Sequence, residues 1–346
     1  MTRDSFTAIF TDFSGNGYPD LYIAIDHSSD EFYLNEGGTF VRVTETVAAT
    51  HIGNDMGVAC ADFDDDGDLD LFVTNITDPS GRYGTTQFNV FYINNYLSPS
   101  SFSFTDEAGS RGVKDVYWGW GTDFIDVEND GDLDLIAVNG FQEFIELAVA
   151  GKKDPTHPLL DTPTVLFVND STGNFTRFLA PGLEAPDDSR GLVVFDYDRD
   201  GDRDLLITNT NAPVRLLENI SDPRGNWLDV AVIQKDGQNR NGIGVRIYVG
   251  FNGVTKRRDI ISGVSYLVGT PAEVHFGLGD ATSVNRLRIE WTNGQVTVMH
   301  NVAANQRLVI EQPAVEIPTL SEVAVLLMAG LLMLAAGAVI KRRSIA

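Results

Sequence analysis

The chain has 346 residues, with 49 Asp and Glu against 25 Lys and Arg, and a formal net charge of −24 at pH 7. This excess of negative charge argues against binding nucleic acid through its backbone phosphates. The length suffices for one large unit and a smaller second domain. The one cysteine, Cys60, excludes an internal disulfide, and its apolar surroundings predict a buried core residue rather than a reactive thiol.

One acidic, glycine-centred loop of nine residues occurs four times in the first two thirds of the chain. Each copy has oxygen-bearing side chains at positions 1, 3, 5 and 9 and glycine at position 6. A short apolar segment rich in β-branched and aromatic residues follows, which predicts a strand. The copies, called loops one to four below, span residues 12–20, 62–70, 126–134 and 196–204.

This pattern predicts four binding sites for Ca²⁺, a cation that takes about six to eight oxygen ligands. Side chains at positions 1, 3 and 5 can turn toward an enclosed ion, glycine permits the sharp bend at which position 7 offers its carbonyl, and position 9 completes the shell. Loop one has two carboxylates where the other loops have four, so we expect it to bind most weakly. The predicted ligands are Asp12, Ser14, Asn16, Tyr18 and Asp20; Asp62, Asp64, Asp66, Asp68 and Asp70; Asp126, Glu128, Asp130, Asp132 and Asp134; and Asp196, Asp198, Asp200, Asp202 and Asp204.

Two other interpretations of the loops are weaker. An EF-hand needs a glutamate at position 12 and an exiting helix, but position 12 is apolar in every copy: Ile23, Val73, Ala137 and Ile207. A solvated acidic turn would explain a single copy, because Asp-Gly and Asn-Gly are ordinary turn dipeptides. Four copies in register favour a common cause, which is a bound cation.

The apolar segments that flank each loop repeat along with it. The copies recur every 50 to 70 residues, and each lies between two apolar segments. A third apolar segment ends in asparagine, and in three copies a turn and a fourth segment follow. Four short strands per repeat predict one blade of a β-propeller. The stretch 141–163 is then an insertion between strands. The third segments end at Asn35, Asn94, Asn169 and Asn219.

These repeats resemble the FG-GAP/VCBS repeats of integrin-α-type β-propellers, and the resemblance covers residues 1–222. It implies that the loop between the first two strands of each blade binds Ca²⁺. Propellers of this family usually close with about seven blades, whereas four are visible here. The resemblance therefore implies either an open arc of four blades or an incomplete seven-blade propeller.

The acidic loops stop before a second unit, predicted over residues 223–313. Its segments 226–230, 239–249, 262–266, 274–279 and 287–294 resemble the ASPIC/UnbV domain, which implies a small β-sandwich-like fold. The combination resembles the cartilage-acidic-protein type of secreted calcium-binding protein. The unit contains the basic run Lys256, Arg257 and Arg258. We expect this run to be an exposed strand with local charge balance rather than a site for an anionic ligand.

The last part of the chain, residues 314–346, predicts a membrane anchor. Residues 323–340 carry no charge and are followed by Lys341, Arg342 and Arg343. As a helix they would span about 27 Å, close to the thickness of a bilayer core, and the basic cluster would place the C-terminus in the cytoplasm. Residues 317–322 resemble the IPTL-type sorting signal of Gram-negative bacteria, which implies recognition by an exosortase-type enzyme.

An exported body requires an N-terminal signal, and Met1 to Phe10 contain no apolar stretch of that kind. We therefore expect the natural protein to begin upstream, with further blades and a signal peptide.

Together these features predict a surface-anchored, calcium-binding protein that binds or adheres to an extracellular protein or polysaccharide. The alternative is a Ca²⁺-dependent polysaccharide hydrolase or lyase. It is weaker because no catalytic motif is present and the paired carboxylates are assigned to metal. The histidines, none of them spaced as a metal pair, are His27, His51, His157, His275 and His300.

Overall fold

The computed structural model describes residues 4–77, 87–98, 101–141, 162–185, 187–210, 212–222, 224–235, 237 and 239–314. Within these ranges every regular element is a β-strand, so the predicted all-β class is confirmed. By its contacts the chain divides into two compact units, residues 1–312 and 313–346.

Each acidic loop joins the first two strands of a separate antiparallel sheet. Strands within each sheet are neighbours in chain order, which is the meander predicted for a blade. We call these meander sheets one to four; none closes on itself in the described part of the chain. Sheet one contains β1 (Asp4–Thr11), β2 (Asp20–Ser29), β3 (Glu31–Asn35) and β4 (Phe40–Arg42), with β5 (Ile52–Asn54) paired to β2; sheet two contains β6 (Val58–Ala61), β7 (Asp70–Val73), β8 (Val90–Ser98) and β9 (Ser101–Asp106); sheet three contains β10 (Gly119–Ile125), β11 (Asp134–Asn139), β12 (Val165–Asn169) and β13 (Phe175–Phe178); sheet four contains β14 (Ser189–Phe195), β15 (Asp204–Asn209) and β16 (Arg215–Leu217).

The first strands β1, β6, β10 and β14 contact one another in sequence, so consecutive meander sheets pack face to face. Strand β7 shows the result. Leu71 and Val73 lie in the core shared with sheet one, whereas Phe72 lies in the core shared with sheet three. Because alternate side chains of a strand point to opposite faces, a strand covered on both faces must be apolar throughout. This explains the unbroken apolar runs after the loops.

An asparagine on or just after each third strand connects the sheet to its loop: Asn35 ends β3, Asn169 ends β12, Asn94 lies within β8 and Asn219 follows β16. In sheets one to three its side-chain amide donates a hydrogen bond to the main-chain carbonyl at position 8 of the loop. A carbonyl that precedes a strand would otherwise lack a partner in this partly dry environment. The pairs are Asn35 with Pro19 (2.9 Å), Asn94 with Leu69 (3.2 Å) and Asn169 with Leu133 (3.1 Å).

Residues 226–311, called the C-terminal domain below, form two further sheets around one apolar core. This agrees with the predicted sandwich-like fold. The first sheet contains β17 (Asn226–Ile233), β20 (Glu273–Gly279) and β23 (Gln306–Glu311); the second contains β18 (Arg246–Phe251), β19 (Val254–Asp259), β21 (Ser283–Glu290) and β22 (Val296–Ala303).

Several sequence predictions lie outside the described residues: the membrane helix over 323–340, the sorting motif at 317–322 and most of the insertion at 141–163. Within the described ranges, no helix is long and apolar enough to cross a membrane. The predicted domain limits at 222/223 and 313/314 stay predictions. Cys60 is buried, as predicted.

Candidate metal centre

Backbone amides hold each acidic loop in shape around its first carboxylate. In loop one, Asp12 accepts N–H groups from Asn16 (3.0 Å) and Gly17 (2.8 Å). In loop three, Asp126 accepts the equivalent groups from Asp130 (3.0 Å) and Gly131 (2.9 Å). The glycine at position 6 has φ between 91° and 99° in all four loops, a conformation that other residues rarely adopt. The predicted need for glycine there is confirmed.

The carboxylate at position 9 has a structural role that the sequence did not reveal. It is the first residue of the second strand, and it accepts the main-chain N–H of the repeated asparagine on or just after the third strand. Position 9 therefore joins the loop to the sheet whether or not a metal is bound. The four position-9 residues are almost fully buried, with partner distances of 2.9 Å for Asp20 and 2.8 Å for Asp70, Asp134 and Asp204.

Loops two and four bring three predicted ligands close together. Carboxylate oxygens of Asp62, Asp64 and Asp66 lie within 4.8 Å of one another, and so do those of the trio in loop four. Loops one and three, which are fully described, contain no comparable trio of carboxylates. The trio in loop four consists of Asp196, Asp198 and Asp204.

Loop two also contains three buried carboxylate oxygens without a hydrogen-bond partner among the described residues, Asp62 Oδ1, Asp68 Oδ1 and Asp70 Oδ2. Asp62 and Asp70 are at least 99% buried. A buried carboxylate oxygen with no donor is costly. The donor set of loop two therefore fits a hard cation that would complete the coordination of these oxygens.

Burial and crowding disfavour charge on the loop carboxylates. Burial raises the pKa of Asp62 to about 7 and that of Asp126 to about 7. The pKa of Asp134 rises to about 9, first because it is buried and then because Glu128 and Asp126 are negative. Without a cation, these groups would hold protons near neutral pH. A divalent ion would stabilise the charged forms instead.

The basic run of the C-terminal domain is buried against the loops, so the prediction of an exposed strand was wrong. Lys256, Arg257 and Arg258 on β19 are each at least 91% buried. Lys256 Nζ lies 2.6 Å from Asp65 Oδ2 and 3.0 Å from Asp132 Oδ1, joining loop two to loop three. The physical reason is the negative potential of the loops, which attracts the one concentrated run of positive charge in the C-terminal domain.

The two arginines bind main-chain oxygens of the same loops. Arg257 donates to the carbonyl of Gly67, and Arg258 Nη1 donates to the carbonyl of Asp62 at 3.2 Å. The face of loops two and three that meets β19 is therefore an internal contact. The only sequence signal for it was a basic run in a chain of net charge −24.

Loops one and four also have cationic partners. Arg246 of the C-terminal domain forms an ion pair with Asp12 in loop one. Arg224, which precedes that domain, pairs with Asp200 at 2.7 Å and with Asp202 in loop four. Every loop thus contacts at least one basic side chain.

His275 lies at this junction. Its ring nitrogens lie 2.8 Å from Asp229 Oδ1 and 2.7 Å from Asn129 Oδ1. Burial, followed by the positive charge of Arg203, lowers the pKa of His275 to about 4. Its side chain therefore joins loop three to the C-terminal domain.

Comparison with known families agrees with both parts of this arrangement. Residues 12–73 match the FG-GAP-like repeat family, and residues 235–317 match the ASPIC and UnbV family. The chain contains an FG-GAP-like repeat and an ASPIC/UnbV domain. The FG-GAP-like and ASPIC/UnbV resemblances are confirmed over these residues, and loops one and two lie inside the matched FG-GAP-like segment.

The curated relatives are cartilage acidic proteins. The chain is 24% identical to cartilage acidic protein 1 of Xenopus tropicalis over 290 residues, which are 80% of this chain and 40% of that protein. It is 26% identical to the Homo sapiens protein over 301 residues, which are 83% of this chain and 40% of the relative. The chain thus spans about two fifths of the length of these relatives.

Solved structures give weaker likenesses. The exotype rhamnogalacturonan lyase YesX aligns with a TM-score of 0.33 at 12% identity, over 89% of this chain and 47% of the lyase. The V. cholerae biofilm matrix protein Bap1 aligns with a TM-score of 0.32 at 11% identity, over 87% of this chain and 60% of Bap1. TM-scores this low support no conclusion about function.

The raised pKa values predict how pH affects the calcium-free protein. Burial raises the pKa of Asp126 from 3.8 to about 7, so between these values the folded state binds more protons than the unfolded state. The contribution of Asp126 to stability therefore falls as pH rises through this window. We expect Asp126→Asn, which cannot titrate, to gain stability relative to the wild type between about pH 5 and about pH 8.

Urea unfolding of both proteins in a calcium chelator at three pH values measures this difference. Comparing the two proteins cancels the contribution of His275, whose lowered pKa acts in the opposite direction. A difference in unfolding free energy between the two proteins that stays constant across the pH range would contradict the raised pKa of Asp126.

The junction makes a second prediction. Lys256→Met should reduce the free energy of unfolding by about 1.5–3 kcal/mol, because it removes charged hydrogen bonds to two loops. The matched control is Lys235→Met. Lys235 pairs with Glu311 at 2.6 Å, but both side chains are more than half exposed, so the expected loss is below about 1 kcal/mol. If urea unfolding gives equal losses of unfolding free energy in the two variants, the buried contacts of Lys256 add no more stability than the exposed pair.

Proposed function

We propose that this chain belongs to an extracellular, adhesion-type protein whose acidic loops bind Ca²⁺ as a structural ion. The pairing of FG-GAP-like and ASPIC/UnbV segments supports the extracellular, adhesion-like character. The meander sheets would be blades of a propeller. The observation that carries the calcium proposal is loop two, which contains a carboxylate trio and three unpartnered buried oxygens.

The residues that would hold the ion follow from the loops. In loop two they are Asp62, Asp64, Asp66 and Asp70, with the carbonyl of Asp68. Loops three and four would use the equivalent positions. The ion would supply positive charge where carboxylates crowd together, and it would fix the turn that carries Gly67.

The geometry favours a structural ion over a catalytic one. The position-1 and position-9 carboxylates are held by main-chain amides, and the C-terminal domain covers one face of loops two and three. A substrate would have to displace Lys256 to approach the bridged carboxylates. We therefore propose that the extracellular protein or polysaccharide binds at another surface and that the chain is not a hydrolase or lyase.

Calcium should stabilise the protein measurably. For a site with a Kd of about 10⁻⁴ M in about 1 mM Ca²⁺, each ion contributes about 1.4 kcal/mol. With three such sites, we expect Ca²⁺ to raise the midpoint of thermal unfolding by at least about 5 °C over the chelated protein. Asp64→Asn should lose part of this gain and leave the chelated protein nearly unchanged.

Asp280→Asn is the matched control, because Asp280 is an exposed aspartate of the C-terminal domain outside the loops. It should keep the full calcium gain. A midpoint that does not respond to chelator, or an equal loss of the gain in both variants, would refute the calcium proposal.

We also propose that the tail anchors the body outside a Gram-negative cell, with the C-terminus in the cytoplasm and an exosortase-type enzyme as a partner. With an added export signal, the full chain should fractionate with membranes and a chain lacking 314–346 should be released. Removing only 344–346, beyond the basic cluster, is the control and should leave the protein in the membrane fraction. A full chain that fractionates as soluble protein would rule out the anchor.

A further inference from the structure

We infer that Arg246 of the C-terminal domain is the permanent cation of loop one, so that this loop binds no calcium. The inference rests on the proposed calcium function of the other loops. Loop one would then serve to attach the C-terminal domain. Because Arg246 takes the place of an ion there, the chain would bind one ion fewer than its four loops suggest.

The ion pair occupies the central ligand position of the loop. Arg246 Nη2 contacts Asp12 Oδ2, and the two side chains are 24% and 11% exposed. Asp12 is position 1, the carboxylate around which the loop wraps. Its oxygens also accept hydrogen bonds from Asn16 N at 3.0 Å, Gly17 N at 2.8 Å and Ser14 Oγ at 3.5 Å. A cation and several donors already satisfy this carboxylate.

The other predicted ligands of loop one are engaged as well. Ser14 is fully buried, and its N–H donates to Asp20 Oδ2 at 2.9 Å. Asn16 Oδ1 accepts from Tyr18 N at 2.9 Å, while its amide donates to the carbonyl of Asn35 at 2.9 Å. No carboxylate oxygen of this fully described loop is buried without a partner.

Loop two provides the internal comparison. It has four carboxylates at positions 1, 3, 5 and 9, where loop one has two, and three of its buried carboxylate oxygens lack partners. The nearest basic group, Lys256, contacts Asp65 at position 4 and leaves the predicted ligands of that loop free of ion pairs. In loop two the basic side chain therefore pairs with Asp65, which is not a predicted ligand. In loop one the basic side chain pairs with a predicted ligand, Asp12.

Arg246 is held in place rather than mobile. It begins β18, the strand that lies between β19 and β21, and it is opposite Asp259 in one neighbour and Glu290 in the other. Its guanidinium nitrogens lie 3.9 Å from a carboxylate oxygen of each. A divalent ion at Asp12 would have to approach this fixed positive charge and displace it, and like charges at contact distance repel strongly outside bulk water.

A double-mutant cycle of Asp12→Asn and Arg246→Gln tests the pair. Thermal unfolding is measured for the wild type, both single variants and the double variant, in calcium and in chelator. We expect each single variant to lower the midpoint, and the double variant to lower it by less than the sum. The coupling between the two positions should be the same in calcium and in chelator. Coupling that vanishes, or that appears only in calcium, would overturn the assignment.

Native mass spectrometry with Ca²⁺ gives a second readout that does not depend on stability. The number of bound ions should be equal in the wild type and Asp12→Asn, whereas Asp64→Asn should lose one ion. Loss of one ion in Asp12→Asn would overturn the inference. If no ion binds to any protein, the calcium proposal fails, while the cycle in chelator still decides whether Arg246 neutralises Asp12.

Discussion

The structure depends on neutralising negative charge that the fold itself concentrates. Each meander sheet begins its second strand with a buried aspartate and carries further carboxylates in the loop before it. Mutual repulsion and loss of solvation both oppose this arrangement. The attachment of the C-terminal domain and the proposed ions both follow from how that charge is compensated.

Two kinds of group in the protein compensate this negative charge, main-chain amides and basic side chains, and the proposed ions would be a third. Main-chain amides bind the carboxylates at positions 1 and 9 and thereby define the turn. Basic side chains reach the loops from outside, and Lys256 joins two loops at once. The proposed ion would meet the buried oxygens of loop two that have no hydrogen-bond partner among the described residues. Because the same loops contact both the C-terminal domain and the proposed ions, we expect calcium and domain attachment to affect the same part of the molecule.

The local features were predictable because they depend on short-range chemistry. Glycine at position 6 indicated a positive φ, and apolar runs after the loops indicated buried strands; both are found. The role of Asn35 and its equivalents was visible only as a repeat, since the acceptor carbonyl lies 16 to 36 residues earlier in the chain. The interpretation of residues 256–258 was wrong because strand alternation says nothing about a charged surface that arrives from another sheet.

The sequence by itself determined the all-β class, the repeat, the glycine-centred acidic loops and the FG-GAP-like and ASPIC/UnbV resemblances, because each is carried by residue types at fixed short spacing. Only the tertiary structure decided which cations meet which carboxylates. Arg246 lies 234 residues from Asp12, and Lys256 lies 191 residues from Asp65. No local pattern encodes such a distance. These contacts arise when the C-terminal domain packs on the loops, where opposite charges offset the cost of burial.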